Sequence, residues 1–326
     1  MIYIRNDSND PHFNLAFEEY VFSNICSDDT ILLLWQNEPS VIVGKHQNTI
    51  EEINIDYIYE NDINVVRRIT GGGAVYHDLG NLNYSFLIPD VKADIDFMTF
   101  TRPLTDALKS LGMNAVQTGR NDVTVDGMKI SGNAQFYKDG ILLHHGTILF
   151  DSDLENVKDT LKVKAGKIES KGIKSVRSRV TNIRPYLKDD MDISAFKKYL
   201  IEAFSETEQL EEYMITEKDH RAICELAGDK YRTYQWNYGY APKCNIVRNG
   251  FFKGGFVEVK LNAEKGLIED IKIFGDYFYI RNTDELESLL KGAEYSRDAV
   301  DNILSRIDMS EFFVNISREE IRSLII

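Results

Sequence analysis

Three short stretches of the chain carry residue types that could do chemistry, and a glycine cluster is the first. Gly71, Gly72 and Gly73 follow a predicted strand at 63–69 that contains Arg67 and Arg68. Glycine backbones can approach a ligand closely, and their N–H groups beside guanidinium groups would suit a phosphate. Taken alone, a glycine triplet is more typical of a flexible turn. No Gly-Lys-Ser/Thr of a P-loop follows, and the cluster leads into a strand rather than the helix of a dinucleotide fingerprint.

The second stretch runs from Gly119 to Gln135 and contains a lysine on a predicted strand. Lys129 follows the tight-turn dipeptide at 126–127, so its ammonium is held on a rigid element where it could meet a phosphate or a developing negative charge. Asn121 and Asp122 could hold a hydrated Mg²⁺. An ordinary surface lysine and a capping Asn-Asp pair are the alternative interpretation.

The third stretch contains two adjacent histidines, His144 and His145. Neighbouring residues on a strand point to opposite faces, so both imidazoles cannot bind one metal ion without distortion. A zinc site is therefore not expected. We predict instead that one histidine lines a pocket and that the other makes a hydrogen bond in the core or at the surface.

Composition limits the class of protein. The chain has 326 residues and a net charge of −14, which argues against a dedicated nucleic-acid binder. No apolar run is long enough to cross a membrane, and the start does not resemble a signal peptide. Three cysteines without metal-type spacing favour a reducing cytoplasm. Basic residues are concentrated between Lys158 and Arg179, where the sequence fits a solvated face and a docking surface for an acidic partner equally well.

The elements that must position these residues alternate between helices and strands. Asp10 and Pro11 predict the start of a helix. The runs at 31–35 and 41–43 predict a hairpin, the runs at 63–69 and 82–88 predict strands, and 96–111 predicts a helix ending at Gly112. A β-meander is expected from Asp122 to Phe150, with tight turns at 126–127 and 139–140. Amphipathic helices are expected near 153–161, 194–204 and 217–227.

The last part of the chain has strands and helices of its own. Strands are expected near 245–248, 251–260 and 267–274, with turns at Asn249-Gly250 and Lys265-Gly266, and helices over 283–326. We therefore predict two domains, 1–243 and 245–326. The fold class expected is α+β.

Taken together, the stretches resemble the lipoate–protein ligase A family. The resemblance covers residues 1 to about 243, and the tail resembles the family's small accessory domain. The motifs that carry it, in chain order, are Phe13-Asn-Leu-Ala-Phe-Glu-Glu19, Leu34-Trp35, Arg67-Arg68-x-x-Gly71-Gly-Gly-Ala-Val-Tyr-His-Asp-x-Gly-Asn81, Gly119-Arg-Asn-Asp122, Lys129-Ile-Ser-Gly132, His144-His-Gly-Thr147 and Ser175-Val-Arg-Ser-Arg-Val-Thr-Asn182.

The resemblance implies a fold and a reaction. The fold would be a mixed, mostly antiparallel sheet flanked by helices, as in biotin and lipoate protein ligases, with a small α+β accessory domain. The enzyme would convert lipoate and ATP into lipoyl-AMP and pyrophosphate, with Mg²⁺, and pass the lipoyl group to an acceptor lysine. The acceptors implied are lipoyl domains of 2-oxoacid dehydrogenase complexes and the glycine cleavage H protein. We expect a cytoplasmic monomer that acts in lipoate salvage. Neither nucleic acid nor a membrane is expected as a partner.

The same resemblance assigns roles to individual residues. Lys129 would be catalytic and would contact both ATP and the lipoyl carboxyl group. Arg68 would also contact both substrates, and His145 would line the lipoyl tunnel with Leu15 and Trp35. Asp122 would lie near the metal. The positions implied for ATP are Arg68, Gly71, Gly72, Gly73, Ala74, Val75, Tyr76, Asn121 and Lys129.

Three alternatives stay open from sequence. An octanoyl- or lipoyltransferase of the same fold would work without ATP. No cysteine occurs between Cys26 and Cys224, which argues against the versions that use a cysteine nucleophile but not against one that uses only a lysine. A biotin ligase fits the glycine motif less well. A non-catalytic lipoyl-domain binder would have no need for Arg68, the three glycines and Lys129 together.

Overall fold

The computed structural model describes residues 1–25, 28–91, 96–162, 180–205, 210–239 and 244–326. Their strands are β1 (Ile2–Arg5), β2 (Ile31–Trp35), β3 (Ser40–Val43), β4 (Asn64–Arg67), β5 (Val75–His77), β6 (Asn81–Ile88), β7 (Ala115–Thr118), β8 (Asp122–Val125), β9 (Met128–Lys138), β10 (Ile141–Leu149), β11 (Glu211–Tyr213), β12 (Ile246–Phe252), β13 (Gly255–Glu264) and β14 (Leu267–Gly275). The helices are α1 (Pro11–Asn24), α2 (Thr49–Glu52), α3 (Ile55–Glu60), α4 (Phe97–Ser110), α5 (Leu154–Thr160), α6 (Ile193–Ser205), α7 (Glu217–Leu226), α8 (Tyr234–Tyr238), α9 (Thr283–Leu290), α10 (Arg297–Ser305), α11 (Met309–Phe312) and α12 (Arg318–Ile325).

The largest sheet has eight strands in the order β11-β1-β2-β6-β10-β9-β8-β7. β1 runs parallel to both β11 and β2, and the other neighbours are antiparallel. Apolar side chains of α4 and α6 pack on one face of this sheet, and those of α1 and α7 pack on the other. The predicted mixed, mostly antiparallel sheet flanked by helices is confirmed.

The β8–β10 meander brings two of the chemical stretches together. Its two turns have positive φ at both central residues, at Asp126-Gly127 and Asp139-Gly140, as tight hairpin turns require. Lys129 lies at the start of β9, and His145 lies on β10 opposite Ala134 of β9. The predicted turns and strand order therefore fix where Lys129 and His145 stand.

The predicted hairpin between residues 31–35 and 41–43 is wrong. β2 pairs with β1 and β6 in the large sheet, whereas β3 pairs with β4 and β5 in a separate three-stranded sheet. All residues of both strands are buried. Because both strands need cover on two faces, the short connection carries the chain from one sheet to the other instead of pairing them.

The C-terminal part forms a third sheet, β12-β13-β14, with α9 to α12 packed around an apolar core of its own. The predicted turn at Asn249-Gly250 is wrong, since both residues lie inside β12 and the chain turns after Phe252. The turn at Lys265-Gly266 is confirmed by its two positive φ angles. The limits 1–243 and 245–326 stay a prediction.

Two further expectations concern the basic segment and membrane-spanning helices. Most of the basic segment between Lys158 and Arg179 lies outside the described residues, so its role stays a prediction. Across the part of the chain that the structure describes, no helix combines the length and the apolar character needed to span a membrane.

Candidate active site

A cavity of about 130 Å³ brings the three chemical stretches together. Strands of the large sheet supply one part of its lining, and β3, β5 and the glycine loop supply another. The predicted site residues that line it are Leu15, Trp35, Arg68, Gly72, Gly73, Ala74, Val75, Asn121, Lys129 and His145. The lining residues that sequence reasoning did not assign a role are Ile42, His77, Asn83, Gly132, Asn133, Ala134, Gly146 and Thr147.

Two predicted nucleotide positions do not line this cavity. The Tyr76 side chain is buried on the other side of β5, in an apolar cluster with Val41 and Val65, and burial raises the pKa of its hydroxyl to about 12. Gly71 is buried against the C-terminal domain: a Cβ at this position would lie 2.3 Å from the carbonyl oxygen of Tyr277. A ligand in the cavity could therefore contact Tyr76 only through its backbone.

Lys129 and Asp122 form an ion pair at the edge of the cavity. The Lys129 Nζ and the Asp122 Oδ1 are 2.7 Å apart, and both side chains are about one-third exposed. Their strands pair across a β-bulge at Val123/Thr124, which brings the two side chains to the same side. A partly exposed ammonium whose partner is a partly exposed carboxylate can exchange that partner for a substrate anion at little cost.

Arg68 shapes the glycine loop from inside. Its guanidinium donates to the carbonyl oxygens of Gly71, at 2.7 Å, and Gly73, at 2.9 Å, and its Nε donates to the Thr70 hydroxyl. Burial lowers the pKa of Arg68 to about 10, and the nearby Glu18 opposes that shift. The side chain therefore stays a cation that fixes the loop and borders the cavity.

Arg67 does not belong to the anion site suggested by sequence. Its side chain is fully buried and donates to backbone carbonyls of Gly44, Lys45, Gln47 and Trp236. These bonds tie β4 to the segment after β3 and to α8. Arg67 and Arg68 point apart because successive side chains of an extended chain alternate in direction.

A buried carboxylate that the sequence did not single out, Glu18 of α1, lies beneath His145. The Glu18 Oε1 is 2.9 Å from His145 Nδ1 and accepts a hydrogen bond of 2.6 Å from the Ser85 hydroxyl. His145 Nε2 lies 2.8 Å from the Thr70 hydroxyl, which in turn accepts from Arg68. One polar network thus runs from the lipoyl-tunnel position predicted for His145 to the glycine loop.

The two adjacent histidines face opposite sides of β10, as predicted. His145 lines the cavity, whereas His144 is buried on the other face, with Nδ1 2.8 Å from Gln135 Nε2. Burial lowers the pKa of His144 to about 3, so its imidazole is neutral. Among the described residues no group of three or more His, Cys, Asp or Glu side chains is arranged to hold a metal ion.

The C-terminal domain covers the glycine loop. The Tyr279 hydroxyl donates to the carbonyl oxygen of Ile69, and the Phe278 ring lies close to Gly72. Phe278 also packs against Phe97 and Ala134. The conformation of the loop therefore depends on residues more than 200 positions away, a dependence that no local pattern could indicate.

Arg120 links this cover to the candidate site. It directly precedes Asn121, and its guanidinium donates to the carbonyl oxygens of Gly254 and Asp276. The same guanidinium lies 4.5 Å from the centroid of the Phe278 ring. Burial lowers the pKa of Arg120. The Gly119–Asp122 motif is thus attached at one end to the C-terminal domain and at the other to the cavity.

The arrangement suits a reaction between two anions. An ammonium, a loop rich in backbone N–H groups and an apolar wall formed by Leu15, Trp35 and Ile42 border one small space. Cations and fixed dipoles can offset the repulsion between negative reactants, and an apolar wall can exclude water from a reactive product. Neither Cys224 nor Cys244 lines this cavity, so neither is placed to supply a thiol nucleophile.

Comparisons with known proteins identify the family of this chain. A family model of the lipoyl protein ligase A/B catalytic domain matches residues 10–205, and one of the bacterial lipoate protein ligase C-terminus matches residues 241–325. Lipoate-protein ligase LplJ of Bacillus subtilis is 46% identical over 330 residues, which cover 100% of both chains.

Solved structures extend the likeness to the fold. LipL1 of P. falciparum, solved in complex with lipoate, superimposes with a TM-score of 0.83 at 28% identity and covers 100% of this chain and 98% of its own. A lipoate-protein ligase A bound with ATP gives a TM-score of 0.63 at 31% identity, covering 74% of this chain and 98% of its own. The chain therefore belongs to the lipoate–protein ligases, and the ATP-dependent ligase activity expected from its sequence is that of its family.

Proposed function

We propose that the cavity bordered by Lys129 and the glycine loop is where this chain joins lipoate to AMP and then passes the lipoyl group to a protein lysine. The observation that carries the proposal is the meeting of Lys129, the loop at 72–75 and the apolar wall around Trp35 in one space. A solved relative binds lipoate and another binds ATP, which supports both substrates.

Of the two steps, adenylation depends more on the positive charge of Lys129. A lipoate carboxylate oxygen forms a bond to the α-phosphorus of ATP while the bond to pyrophosphate breaks, so negative charge accumulates between two anions. Lys129 Nζ would leave Asp122 and contact the carboxyl and α-phosphoryl oxygens. The N–H groups of the loop would contact phosphate oxygens, with Arg68 holding the loop in shape from behind through Gly71 and Gly73.

The lipoyl chain would lie along the apolar wall. Leu15 and Trp35 are buried and offer carbon surface to an aliphatic chain and its dithiolane ring. His145, held between Glu18 and Thr70, would border the same slot. A dry slot also protects the mixed anhydride of lipoyl-AMP from hydrolysis before transfer.

Mg²⁺ fits this donor set only as a partner of the triphosphate. Asp122 is the one carboxylate beside Lys129 among the described ion pairs, and Asn121 can add an amide oxygen. Mg²⁺ commonly keeps several waters and binds one or two carboxylates together with substrate phosphates. Bound in that way, the ion would neutralise charge on the phosphates as pyrophosphate departs.

In the second step, the amine of an acceptor lysine attacks the lipoyl carbonyl and AMP leaves. Lys129 would remain a cation on the acyl phosphate throughout. The proposed acceptors are the lipoyl domains of 2-oxoacid dehydrogenase complexes and the glycine cleavage H protein. We also propose that the enzyme acts as a monomer in the cytoplasm and takes part in lipoate salvage.

A two-stage experiment tests the proposal. The protein is incubated with ATP, Mg²⁺ and lipoate, passed through a desalting column, and then mixed with an unmodified lipoyl domain without further ATP. We expect lipoyl-AMP to remain with the protein, and mass spectrometry to find one lipoyl group on the acceptor lysine. An acceptor that stays unmodified after the column, although lipoyl-AMP has formed, would contradict the proposed transfer step.

A further inference from the structure

A chain of hydrogen bonds crosses the large sheet on the face that packs against α4 and α6, and it ends at the candidate site. Its members, in order, are Gln135, His144, Tyr84, Asn133 and Asn121. The first four side chains are at most 3% exposed, and the mechanism above gives none of them a role. Asn121 lines the cavity, where the proposed function expects it to contact ATP.

The end of the chain at Asn121 fixes the direction of its hydrogen bonds. Asn133 Nδ2 donates to the Asn121 carbonyl oxygen, at 3.0 Å, and to the Ser131 hydroxyl, at 3.3 Å. A carbonyl oxygen can only accept, so the NH₂ group of Asn133 faces Asn121 and its Oδ1 faces Tyr84. The Tyr84 hydroxyl therefore donates to Asn133 Oδ1. Burial raises the pKa of Tyr84, so the hydroxyl keeps the hydrogen that it donates.

The other end of the chain has the same direction. Gln135 Nε2 donates to the Asp96 carbonyl oxygen, at 2.9 Å, and faces His144 Nδ1, at 2.8 Å. His144 Nδ1 therefore accepts, and the hydrogen of the neutral ring is on Nε2, 3.4 Å from the Tyr84 hydroxyl oxygen. The Tyr84 oxygen can accept this hydrogen while its own hydrogen goes to Asn133. Every hydrogen bond of the chain thus runs the same way, towards the candidate site.

Asn133 holds Asn121 through both its side chain and its backbone. Asn133 N also donates to the Asn121 carbonyl oxygen, at 2.9 Å, and Asn121 Nδ2 donates in return to the Asn133 carbonyl oxygen, at 2.6 Å. Because that end of the Asn121 amide is engaged, its Oδ1 is the acceptor left for a ligand. Gly146 leaves room for the arrangement, since a Cβ there would lie 2.1 Å from Asn133 Oδ1 and 2.8 Å from the Tyr84 ring.

We propose that Tyr84 and Asn133 are positioning residues, which hold Asn121 in the orientation that binds ATP. The inference rests on the proposed function, because that function places ATP beside Asn121. Asn121 lies in the short connection between β7 and β8, and a side chain held there before ATP arrives loses less freedom on binding. Tyr84 packs on the opposite face of the sheet from Leu15 and Trp35, so lipoate binding should not depend on this chain of hydrogen bonds.

Removal of one hydroxyl group tests the role of Tyr84. Tyr84→Phe keeps the packed ring but leaves Asn133 Oδ1 without its donor, so the Asn133 amide can turn away from Asn121. With ATP titrated calorimetrically in the presence of Mg²⁺, we expect binding to weaken about fivefold, as for the loss of one hydrogen bond. Lipoate titrated into the same sample should bind within twofold of the wild type, which also shows that the variant is folded. Tyr199→Phe of α6 is the matched control: it removes a hydroxyl that donates to the Ala107 carbonyl oxygen, at 2.7 Å, beside the same apolar core, and it should bind ATP normally.

A double-mutant cycle shows whether Tyr84 acts through Asn121. Asn121→Ala should itself weaken ATP binding at least fivefold, and adding Tyr84→Phe to it should change the affinity less than twofold, because the side chain that Tyr84 holds is gone. Two losses that multiply, or a loss of lipoate binding equal to that of ATP binding, would show a general structural role and overturn the inference. Wild-type ATP affinity in Tyr84→Phe would overturn it as well. No ATP binding by the wild type would overturn the proposed function itself.

Discussion

At the scale of single residues, the Lys129–Asp122 ion pair carries the clearest prediction. We expect Lys129→Ala to slow lipoyl-AMP formation at least 100-fold, because one charge-stabilising donor typically contributes that much. Little stability should be lost, since both side chains of the pair are about one-third exposed. The measurements are adenylate formation with lipoate and ATP alone, and the denaturant midpoint.

Lys138→Ala is the matched control for this variant. Lys138 ends the same strand, β9, and its side chain is 64% exposed. Adenylation by this control should equal that of the wild type. If Lys129→Ala forms lipoyl-AMP at the rate of Lys138→Ala, Lys129 has no part in the chemistry.

Glu18 provides a second prediction at this scale. Glu18→Ala removes the acceptor of the Ser85 hydroxyl and the carboxylate beside His145, and it leaves both polar groups buried. We expect the free energy of unfolding to fall by about 3 kcal/mol. Chemical denaturation measures it, with the exposed Glu225→Ala of α7 as a control that should change stability by less than about 0.5 kcal/mol. Equal midpoints for the two variants would contradict the network.

Residue types alone predicted some of the site and missed the rest for a physical reason. Lys129 and the glycines could be found because their motifs are local. Glu18 was missed because a glutamate on a helix usually faces solvent, although its spacing from Leu15 and Phe22 places it on the buried face of α1. Arg67 was placed at the anion site, but tertiary partners from two segments enclose it.

At the scale of elements, the glycine loop depends on what packs against it. A Cβ on Gly71 would lie 2.3 Å from the Tyr277 carbonyl oxygen, whereas a Cβ on Gly73 would meet nothing within 4 Å. We expect Gly71→Ala to destabilise the protein by about 1–3 kcal/mol, because backbone must shift to relieve the overlap. Gly73→Ala should leave the denaturant midpoint unchanged. Equal midpoints would show that the C-terminal domain does not constrain the loop.

Elements set by local signals were predicted, and elements set by distant partners were not. Asp10 accepts a hydrogen bond from His12 N and caps α1, and the turns at 126–127 and 139–140 have the backbone that Asp-Gly favours. The predicted pairing of β2 with β3 was wrong because a buried apolar run has the same sequence pattern whichever sheet it joins. The predicted turn at Asn249-Gly250 was wrong because both residues pair with β13 inside β12.

At the scale of the whole molecule, buried histidines link stability to pH. Burial lowers the pKa of His77 and His144 to about 3 and that of His46 well below its ordinary 6.5. As the pH falls below about 6.5, the unfolded chain binds protons at these rings and the folded chain does not. The free energy of unfolding therefore decreases as the pH is lowered, by about 2 kcal/mol per histidine between pH 7 and pH 5.

The buried carboxyl group of Glu287 has the opposite effect on the pH dependence of stability. A histidine variant compared with the wild type therefore tests the contribution of a histidine better than the wild type alone. Burial raises the pKa of Glu287 to about 7, and the folded state then binds a proton that the unfolded state lacks between about pH 7 and 4.5. The test compares His144→Gln with the wild type at pH 7 and pH 5. The variant should lose about 2 kcal/mol less over this range, and the same loss in both proteins would refute the linkage.

His46 also shows how the two parts of the molecule are joined. Its ring stacks on Tyr277 at 4.9 Å and meets Tyr279 edge-on at 4.5 Å, and its carbonyl oxygen accepts from Gly275 N. Sequence analysis identified a separate C-terminal unit from its strands and turns. It could not show that this unit covers the glycine loop, because such contacts depend on three-dimensional packing.

In the proposed reaction, the chain forms an acyl adenylate at Lys129 before any acceptor protein is involved. The most direct test measures pyrophosphate release from ATP with and without lipoate, in the absence of an acceptor. We expect pyrophosphate release that requires lipoate and that is lost in Lys129→Ala. No release from the wild type, together with acyl transfer from an octanoylated or lipoylated carrier protein, would contradict it and place the chain among ATP-independent transferases.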